Sequence, residues 1–518
     1  MTQSAIYLYG PSGTGKTTLG KTLAEVLNLP FFDLDVEIEK QAGKTIPTIF
    51  AEEGEAAFRT RETNGLRGLP VSQPCVVGLG GGALLSPENR TYAESNGQIL
   101  LLTAAPEAIL QRLQADPNPR PLLQSAEPAQ KLREYLGGRA DHYASFPTQL
   151  DTTKLSPIEA VWQAQIALGM FHVRGMGAGY DVRVRAGGLA QVGEMMRTRE
   201  LRGPIGIVSD ETIWAYHGST LLASVEQAGY HAHPVIIPPG ESEKTMETVG
   251  KLWAGFLEAG LERSSTVLAL GGGVVGDLAG FAAATYLRGV KWVALPTTLL
   301  AMVDASLGGK TGADLPQGKN LVGAFHAPQF VLADPDVLAT LPPNILRDGM
   351  AEVVKHGIIA DADLFALSSR FHMLDDFAPL VTQAMAVKIR VIQDDPFEQG
   401  YRQALNLGHT IGHGVEQASG FALSHGESIA IGTVGEARLA ETLGIAQFGI
   451  AETIRATLET IGLPTEIPPT LDRAAILHAM THDKKKKGGK VRFALPVRVG
   501  EVQVGISVDD LDHVLEEK

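Results

Sequence analysis

Residues 10–17 read Gly-Pro-Ser-Gly-Thr-Gly-Lys-Thr, a G-x-x-x-x-G-K-[ST] loop between an apolar run at 5–9 and an amphipathic stretch from Thr17 to about Leu29. Strand, glycine turn and helix in that order leave few folds open. The helix carries the chain back along the strand, so the next strand pairs in parallel through a right-handed crossover. Glycines let backbone N–H groups converge on phosphate oxygens at the helix N-terminus, where the dipole also favours negative charge. Lys16 then serves the outer phosphates, and the Thr17 hydroxyl completes a Mg²⁺ shell. Gly13, Thr14, Gly15, Lys16, Thr17 and Thr18 are thus expected to bind a nucleoside triphosphate with Mg²⁺. The loop says nucleoside triphosphate, not which reaction.

Further apolar runs at 75–79 and 98–103 continue the first strand series, and a helix-like stretch near 156–169 ends at Gly169. A new series follows at 204–209, 234–238, 265–270, 291–295 and 329–333, alternating with helical patterns as in dinucleotide-binding α/β domains. From about 337 the spacing is mostly helical, with a β-hairpin expected at 490–506. The expected architecture is α/β in three parts: a P-loop domain with a parallel sheet over 1–170, a Rossmann-like, dinucleotide-type domain over 171–335, and a mainly helical domain over 336–518. A chain of 518 residues suits that number.

Lys plus Arg is 44 and Asp plus Glu is 58, a net charge of −14, which argues against nucleic acid as a partner. Cys75 is the single cysteine, so an internal disulfide and a cysteine-based metal cluster are excluded. No apolar stretch approaches the ~18 residues of a bilayer span, and no leader pattern opens the chain. A cytoplasmic protein acting on small molecules, away from membranes, is expected.

Beyond the loop, Asp33 and Asp35 sit two apart after Phe31-Phe32, so one carboxylate can approach Mg²⁺ while the other faces a hydroxyl acceptor. Together with Phe58-Arg59, Gly80-Gly81-Gly82-Ala83, Asn118-Pro-Arg120-Pro-Leu-Leu and Arg139-Ala-Asp-His-Tyr143, they make residues 4–168 resemble shikimate kinase. The resemblance implies transfer of the ATP γ-phosphate to the 3-hydroxyl of shikimate. Asp33 and Thr17 would hold Mg²⁺. Asp35, Arg59, Gly80, Gly81, Gly82 and Arg139 would hold shikimate, and Arg120, in a closing lid, would stabilise the moving charge beside Lys16.

The second half carries Gly271-Gly-Gly-Val-Val-Gly-Asp277 after an expected strand, Thr297-Thr298, Glu352-Val-Val-Lys355-His356 on a helix, His409-Thr-Ile-Gly-His413, and His425-Gly-Glu427. Glu and His without cysteine suit Zn²⁺ or Co²⁺. Spacing alone nominates His409 and His413, since i and i+4 share a helix face. Residues 171–518 resemble 3-dehydroquinate synthase through GGGVVGDLAGF at 271–281, PTTLLAMVDASLGGKTG at 296–312, GMAEVVKHG at 349–357 and LNLGHTIGH at 405–413. That resemblance implies metal ligands Glu352, His409 and His425, with His413 handling protons beside the substrate. It further implies NAD contacts from Asp210, Glu241, Lys244, Gly273, Val274, Val275, Gly276, Asp277, Thr297, Thr298, Lys310 and Lys319. Asp304, Lys310, Lys355 and Lys388 would hold ring hydroxyls and carboxylate. Arg288, Lys319, Asn320 and Lys485, from the lysine run at 484–487, would surround the phosphate. Arg402 and Asn406 complete the lining, with Lys355, Lys388 and His413 in the chemistry. The implied reaction converts 3-deoxy-D-arabino-heptulosonate 7-phosphate to 3-dehydroquinate and phosphate, in a homodimer through this half.

Two other readings fit parts of the pattern. A nucleotide or sugar kinase joined to a metal-dependent polyol dehydrogenase would share both folds, but has no departing phosphate to hold and would not need Lys310, Lys319, Asn320 and Lys355 together. A nucleotide switch would need no acceptor site, yet the acceptor motifs are intact. The two implied reactions are the second and fifth steps of one pathway to aromatic amino acids through chorismate, so no direct channelling between them is expected.

Overall fold

The computed structural model describes residues 5–115, 127–373, 376–398, 400–482 and 491–508. The chain divides into two compact units, residues 1–172 and 173–518.

In the first unit, strands β1 (Ala5–Tyr9), β2 (Phe31–Asp33), β3 (Cys75–Gly78), β4 (Gly97–Thr103) and β5 (Gln149–Asp151) form one sheet in the order β2-β3-β1-β4-β5. All its pairs are parallel. All five residues of β1 are buried, which is why its sequence is an unbroken apolar run. Tyr7 and Tyr9 enter one core with Leu34, Phe58 and Phe146. Ile6 and Leu8 enter the other with Leu19, Leu23, Ala164 and Leu168. At the end of β1, Gly10 has φ 135°, and a Cβ there would lie 2.1 Å from the Leu102 carbonyl oxygen. Only glycine lets the loop leave the sheet this closely. Helix Pro157–Leu168 starts on a capping box of Ser156 and Glu159 and stops at Gly169, φ 62°.

The second sheet begins with β6 (Met170–Val173), which spans the division at 172, and continues with β7 (Tyr180–Val184), β8 (Ile205–Asp210), β9 (Ala232–Ile237), β10 (Thr266–Gly271), β11 (Lys291–Pro296) and β14 (Phe330–Ala333); β12 (Lys310–Leu315) and β13 (Gly318–Phe325) form a separate antiparallel hairpin. The sheet order is β6-β7-β14-β11-β10-β8-β9. From β8 the chain moves outward to β9 and returns to β10 on the other side of β8. A crevice therefore opens beyond the carboxyl ends of β8 and β10, the usual ligand position in such sheets.

The expected strands recur within two residues of their sequence positions, but β12–β13 were not anticipated. Glycines at 312, 318 and 323 and scattered charges break the alternation that marks a strand. Four helices follow that matter for function: Pro343–Ala360, Ala378–Asp394, His409–Ala418 and His425–Thr442. The last two approach closely, since a Cβ on Gly432 would lie 2.0 Å from the Gly408 carbonyl oxygen. A hairpin of β15 (Arg492–Arg498) and β16 (Glu501–Ser507) closes the described chain. No described helix is long and apolar enough to cross a membrane.

Candidate active sites

The glycine loop after β1 lines a cavity of about 440 Å³ with Lys16, Thr17, Asp33, Asp35, Gly80 and Arg112. Helix Lys16–Val26 begins on Gly15 at φ 92° with no side-chain cap, so its first N–H groups face the cavity's mouth. Lys16 Nζ donates to the carbonyls of Gly10 and Pro11 at 2.7 and 2.9 Å. Thr17 Oγ1 donates to Asp33 Oδ2 at 2.9 Å, which joins the two oxygen donors expected around Mg²⁺. The other Asp33 oxygen caps the following helix through the Asp35 N–H, 3.1 Å. Asp35 turns towards the glycine turn instead: a Cβ on Gly80 would sit 3.0 Å from its Oδ1. Thus the two aspartates part at the end of β2, one to each side of the cavity.

Arg139 Nη1 donates to the Gly81 carbonyl at 2.8 Å and its guanidinium stacks on Tyr135, 4.1 Å from the ring centroid. Arg59 Nη1 pairs with Glu62 at 2.8 Å and lies 2.9 Å from a Cβ position on Gly82. Glu62 is buried, and burial pushes its carboxyl above the usual range despite Arg59. Arg112 went unnoticed in the sequence. It donates to Thr152 O at 2.6 Å and Gly13 O at 3.4 Å, on the nucleotide side of the cavity. Arg120 and Lys485 lie outside the described residues.

A larger cavity, about 690 Å³, opens in the second unit. Asp277, Asp304, Lys310, Asn320, Lys355, Lys388, Glu398, Arg402, Asn406 and His409 line it. Beside it Gly271, Gly272, Gly273, Gly276 and Asp277 form a smaller hollow. Helix Gly273–Thr285 starts there without a side-chain cap, which leaves backbone N–H groups for a pyrophosphate. Lys244 Nζ bridges Asp277 Oδ2 at 2.7 Å and Asn320 Oδ1 at 2.6 Å, so the hollow is tied to the unanticipated hairpin. Val274 and Val275 belong to that helix, Asp210 ends β8, and Thr298 caps the turn after β11 through the Ala301 N–H. Thr297 is buried at the start of that turn.

Glu352, His409 and His425 bring one ligand atom each to within 4.8 Å of one another. Glu352 Oε1 is 3.5 Å from His409 Nε2 and 3.4 Å from His425 Nε2. Ligands ~2.1 Å from a shared ion at near-tetrahedral angles sit ~3.4 Å apart, so the spacing fits a cation held by nitrogen and oxygen. His409 Nδ1 is 3.1 Å from the Leu407 carbonyl, which directs Nε2 inward. Burial disfavours charge on His425, yet Glu352 and Glu416 outweigh it and push the imidazole up to about 10. At His409, by contrast, burial and the Lys355 ammonium push the imidazole well below its usual range. His413 is exposed, its ring 5.0 Å from that of His409, and it forms a second possible metal group with Glu416 and His425.

Lys355 pairs with Glu352 and donates to Leu405 O at 2.9 Å. Lys388 Nζ meets Asp304 Oδ1 at 2.5 Å and its carbonyl at 2.8 Å. Burial opposes charge on Asp304, but the Lys388 ammonium holds its carboxyl down to about 2. Asp304→Asn would leave Lys388 charged and buried, so we expect a loss of about 3 kcal/mol in chemical denaturation of the larger unit. Sequence reading also missed Glu398, 2.6 Å from Lys310, and Glu416, 3.1 Å from Lys319. Lys319 sits over the Phe421 ring and 3.8 Å from Glu241. Neither Lys319 nor Arg288 is among the residues that line the large cavity.

Comparison with known proteins now adds names. A family model described as shikimate kinase matches residues 12–168. Models described as the N-terminal and C-terminal parts of 3-dehydroquinate synthase match 234–348 and 349–486. A 3-dehydroquinate synthase of Synechocystis sp. is 44% identical over 340 residues, 64% of this chain and 94% of its own length. The Nostoc punctiforme enzyme of the same name is 46% identical over 334 residues, 63% of this chain and 92% of its own. Among solved structures, ValA (2-epi-5-epi-valiolone synthase) of Streptomyces hygroscopicus, with NAD⁺ and Zn²⁺ bound, is 30% identical with TM-score 0.58. The match covers 64% of this chain and 92% of that one. A 2-deoxy-scyllo-inosose synthase complexed with carbaglucose-6-phosphate, NAD⁺ and Co²⁺ is 25% identical with TM-score 0.57, covering 64% and 93%.

Proposed function

The chain belongs to the 3-dehydroquinate synthase family and carries a shikimate kinase domain ahead of it, and from that premise we propose which residues perform each reaction. It is a bifunctional enzyme of the shikimate pathway, a phosphotransferase and a phosphorus–oxygen lyase. We place the boundary between the functions at about residue 170, and within the larger part between the NAD-binding and helical regions at about 335.

In the kinase, Thr17 and Asp33 hold Mg²⁺ and the uncapped helix start holds ATP phosphates. Lys16 leaves the carbonyls of Gly10 and Pro11 to meet the outer phosphates. Asp35 orients the 3-hydroxyl of shikimate and accepts its proton, while Arg59 and Arg139 grip the carboxylate over the Gly80–Gly82 turn. Positioning and cationic stabilisation are most of what phosphoryl transfer requires.

In the synthase, Glu352, His409 and His425 hold a divalent Zn²⁺ or Co²⁺, and the glycine hollow with Asp277 and Lys244 holds NAD. When bound, the dinucleotide takes and returns a hydride and the metal polarises the hydroxyl being oxidised. The chain's own groups do the rest. Asp304, Lys310, Lys355, Lys388, Arg402 and Asn406 orient ring hydroxyls and carboxylate. Asn320 on the hairpin receives the phosphate, with Arg288, Lys319 and Lys485. His413 moves protons at the metal's rim. The same resemblance supports a homodimer through this part and a cytoplasmic location.

The observation that carries this reading is the Glu352, His409 and His425 group beside a cavity walled by Lys310, Lys355 and Lys388. The intact chain, given the heptulosonate phosphate and NAD⁺, should release one phosphate per turnover with no accumulation of NADH. A polyol dehydrogenase would accumulate NADH and release none. Likewise, ADP release should require shikimate, and release indifferent to shikimate would overturn the kinase assignment.

A further inference from the structure

His409 and His425 are each the first residue of a helix, and each helix start is held by a carboxylate from elsewhere. Helix His409–Ala418 begins on Gly408, which has no capping side chain of its own. Glu436, fully buried on helix His425–Thr442, fills that role. Its Oε2 accepts from the Gly408 N–H at 2.7 Å, and its Oε1 accepts from Thr410 at 3.0 Å and Ile411 at 3.3 Å. Helix His425–Thr442 has its own capping box of Ser424 and Glu427, and Asp348, one turn before Glu352 on helix Pro343–Ala360, holds the same turn from outside. Asp348 Oδ1 accepts from the Gly426 N–H at 2.6 Å and from the Ser424 hydroxyl.

The pattern interlocks. The helix that supplies Glu352 grips the turn of His425, and the helix that supplies His425 grips the turn of His409. Both histidines also stand in the first turn of a helix, where the positive end of the dipole disfavours a nearby cation unless anions offset it. We propose that Glu436 and Asp348 are positioning residues of the metal site. They fix the backbone under His409 and His425 and neutralise the helix ends, so that the ligands are set before the ion arrives. The alternative is an ordinary pair of helix caps, which would affect stability alone.

This rests on the metal reading of Glu352, His409 and His425, and a test on the full chain separates the two. Zn²⁺ affinity is measured by chelator competition, and the Co²⁺-loaded protein's visible spectrum is recorded, for wild type, Glu436→Gln, Asp348→Asn and Asp361→Asn. Asp361 caps another helix through the Leu364 N–H at 2.9 Å and serves as a control. Glu436→Gln and Asp348→Asn should weaken Zn²⁺ binding about tenfold to a hundredfold and shift the Co²⁺ bands. Asp361→Asn should change only the melting temperature. Wild-type affinity and an unaltered Co²⁺ spectrum in both variants would overturn the proposal. If Glu436→Gln does not fold, Asp348→Asn decides by the same criterion. A wild-type protein that binds neither ion would instead sink the metal reading itself.

Discussion

His409→Ala is expected to lower 3-dehydroquinate formation by on the order of 10³-fold or more, with shikimate phosphorylation unchanged. His409 Nε2 is one of three groups converging on Glu352, and its ring also lines the large cavity. If His409 is the metal ligand proposed above, losing it removes that ligand and the polarisation of the reacting hydroxyl, a contribution of several kcal/mol, and each ~1.4 kcal/mol is a factor of ten. Parallel assays of both reactions on one preparation check this. Because the first unit keeps every group it uses, the kinase rate serves as an internal measure of the amount of protein, and circular dichroism of the variant checks that the second unit is folded. A parallel fall in both rates would mean that the substitution unfolds the chain or that the reactions share machinery.

Lys16→Ala is the converse, and should reduce kinase kcat by about 10²–10³-fold, the loss seen when one preorganised donor to developing charge is removed. In the structure its ammonium is parked on the carbonyls of Gly10 and Pro11, within the loop that leaves the sheet at Gly10. Losing these two bonds to the loop should cost about 1–3 kcal/mol of stability, and the effect on turnover should appear in kcat more than in the KM for shikimate. Steady-state kinetics with both substrates varied distinguishes these. Synthase turnover should be untouched.

Much of this was legible in the chain because the signals are local. The doubly buried strands read as unbroken apolar runs, and the loop at 10–17 carries its whole mechanism within eight residues. The histidines show where local reading ends. Spacing favours His409 with His413, since four residues return to one helix face. But His409 stands at the start of its helix and His425 at the start of another, and the close approach at Gly408 and Gly432 joins them. Resemblance to a family named that set; periodicity did not. The hairpin that carries Lys310 and Asn320 was hidden by its glycines. The acidic partners were hidden too. Glu62, Glu398, Glu416, Glu436 and Asp348 look like ordinary surface carboxylates until the fold places a guanidinium, an ammonium or a helix end against them. Arg112 is the same case in reverse, a helical arginine whose role comes from Thr152, forty residues away.

The central claim is that one chain holds two complete and separate catalytic sites. Expressing residues 1–169 and 170–518 as independent polypeptides, cut at the Gly169 helix stop so that β6 stays whole, and assaying both reactions on each tests it most directly. We expect the shorter piece to phosphorylate shikimate and the longer to make 3-dehydroquinate, each at the rate of the intact chain. A piece that folds yet has lost its reaction would contradict the account.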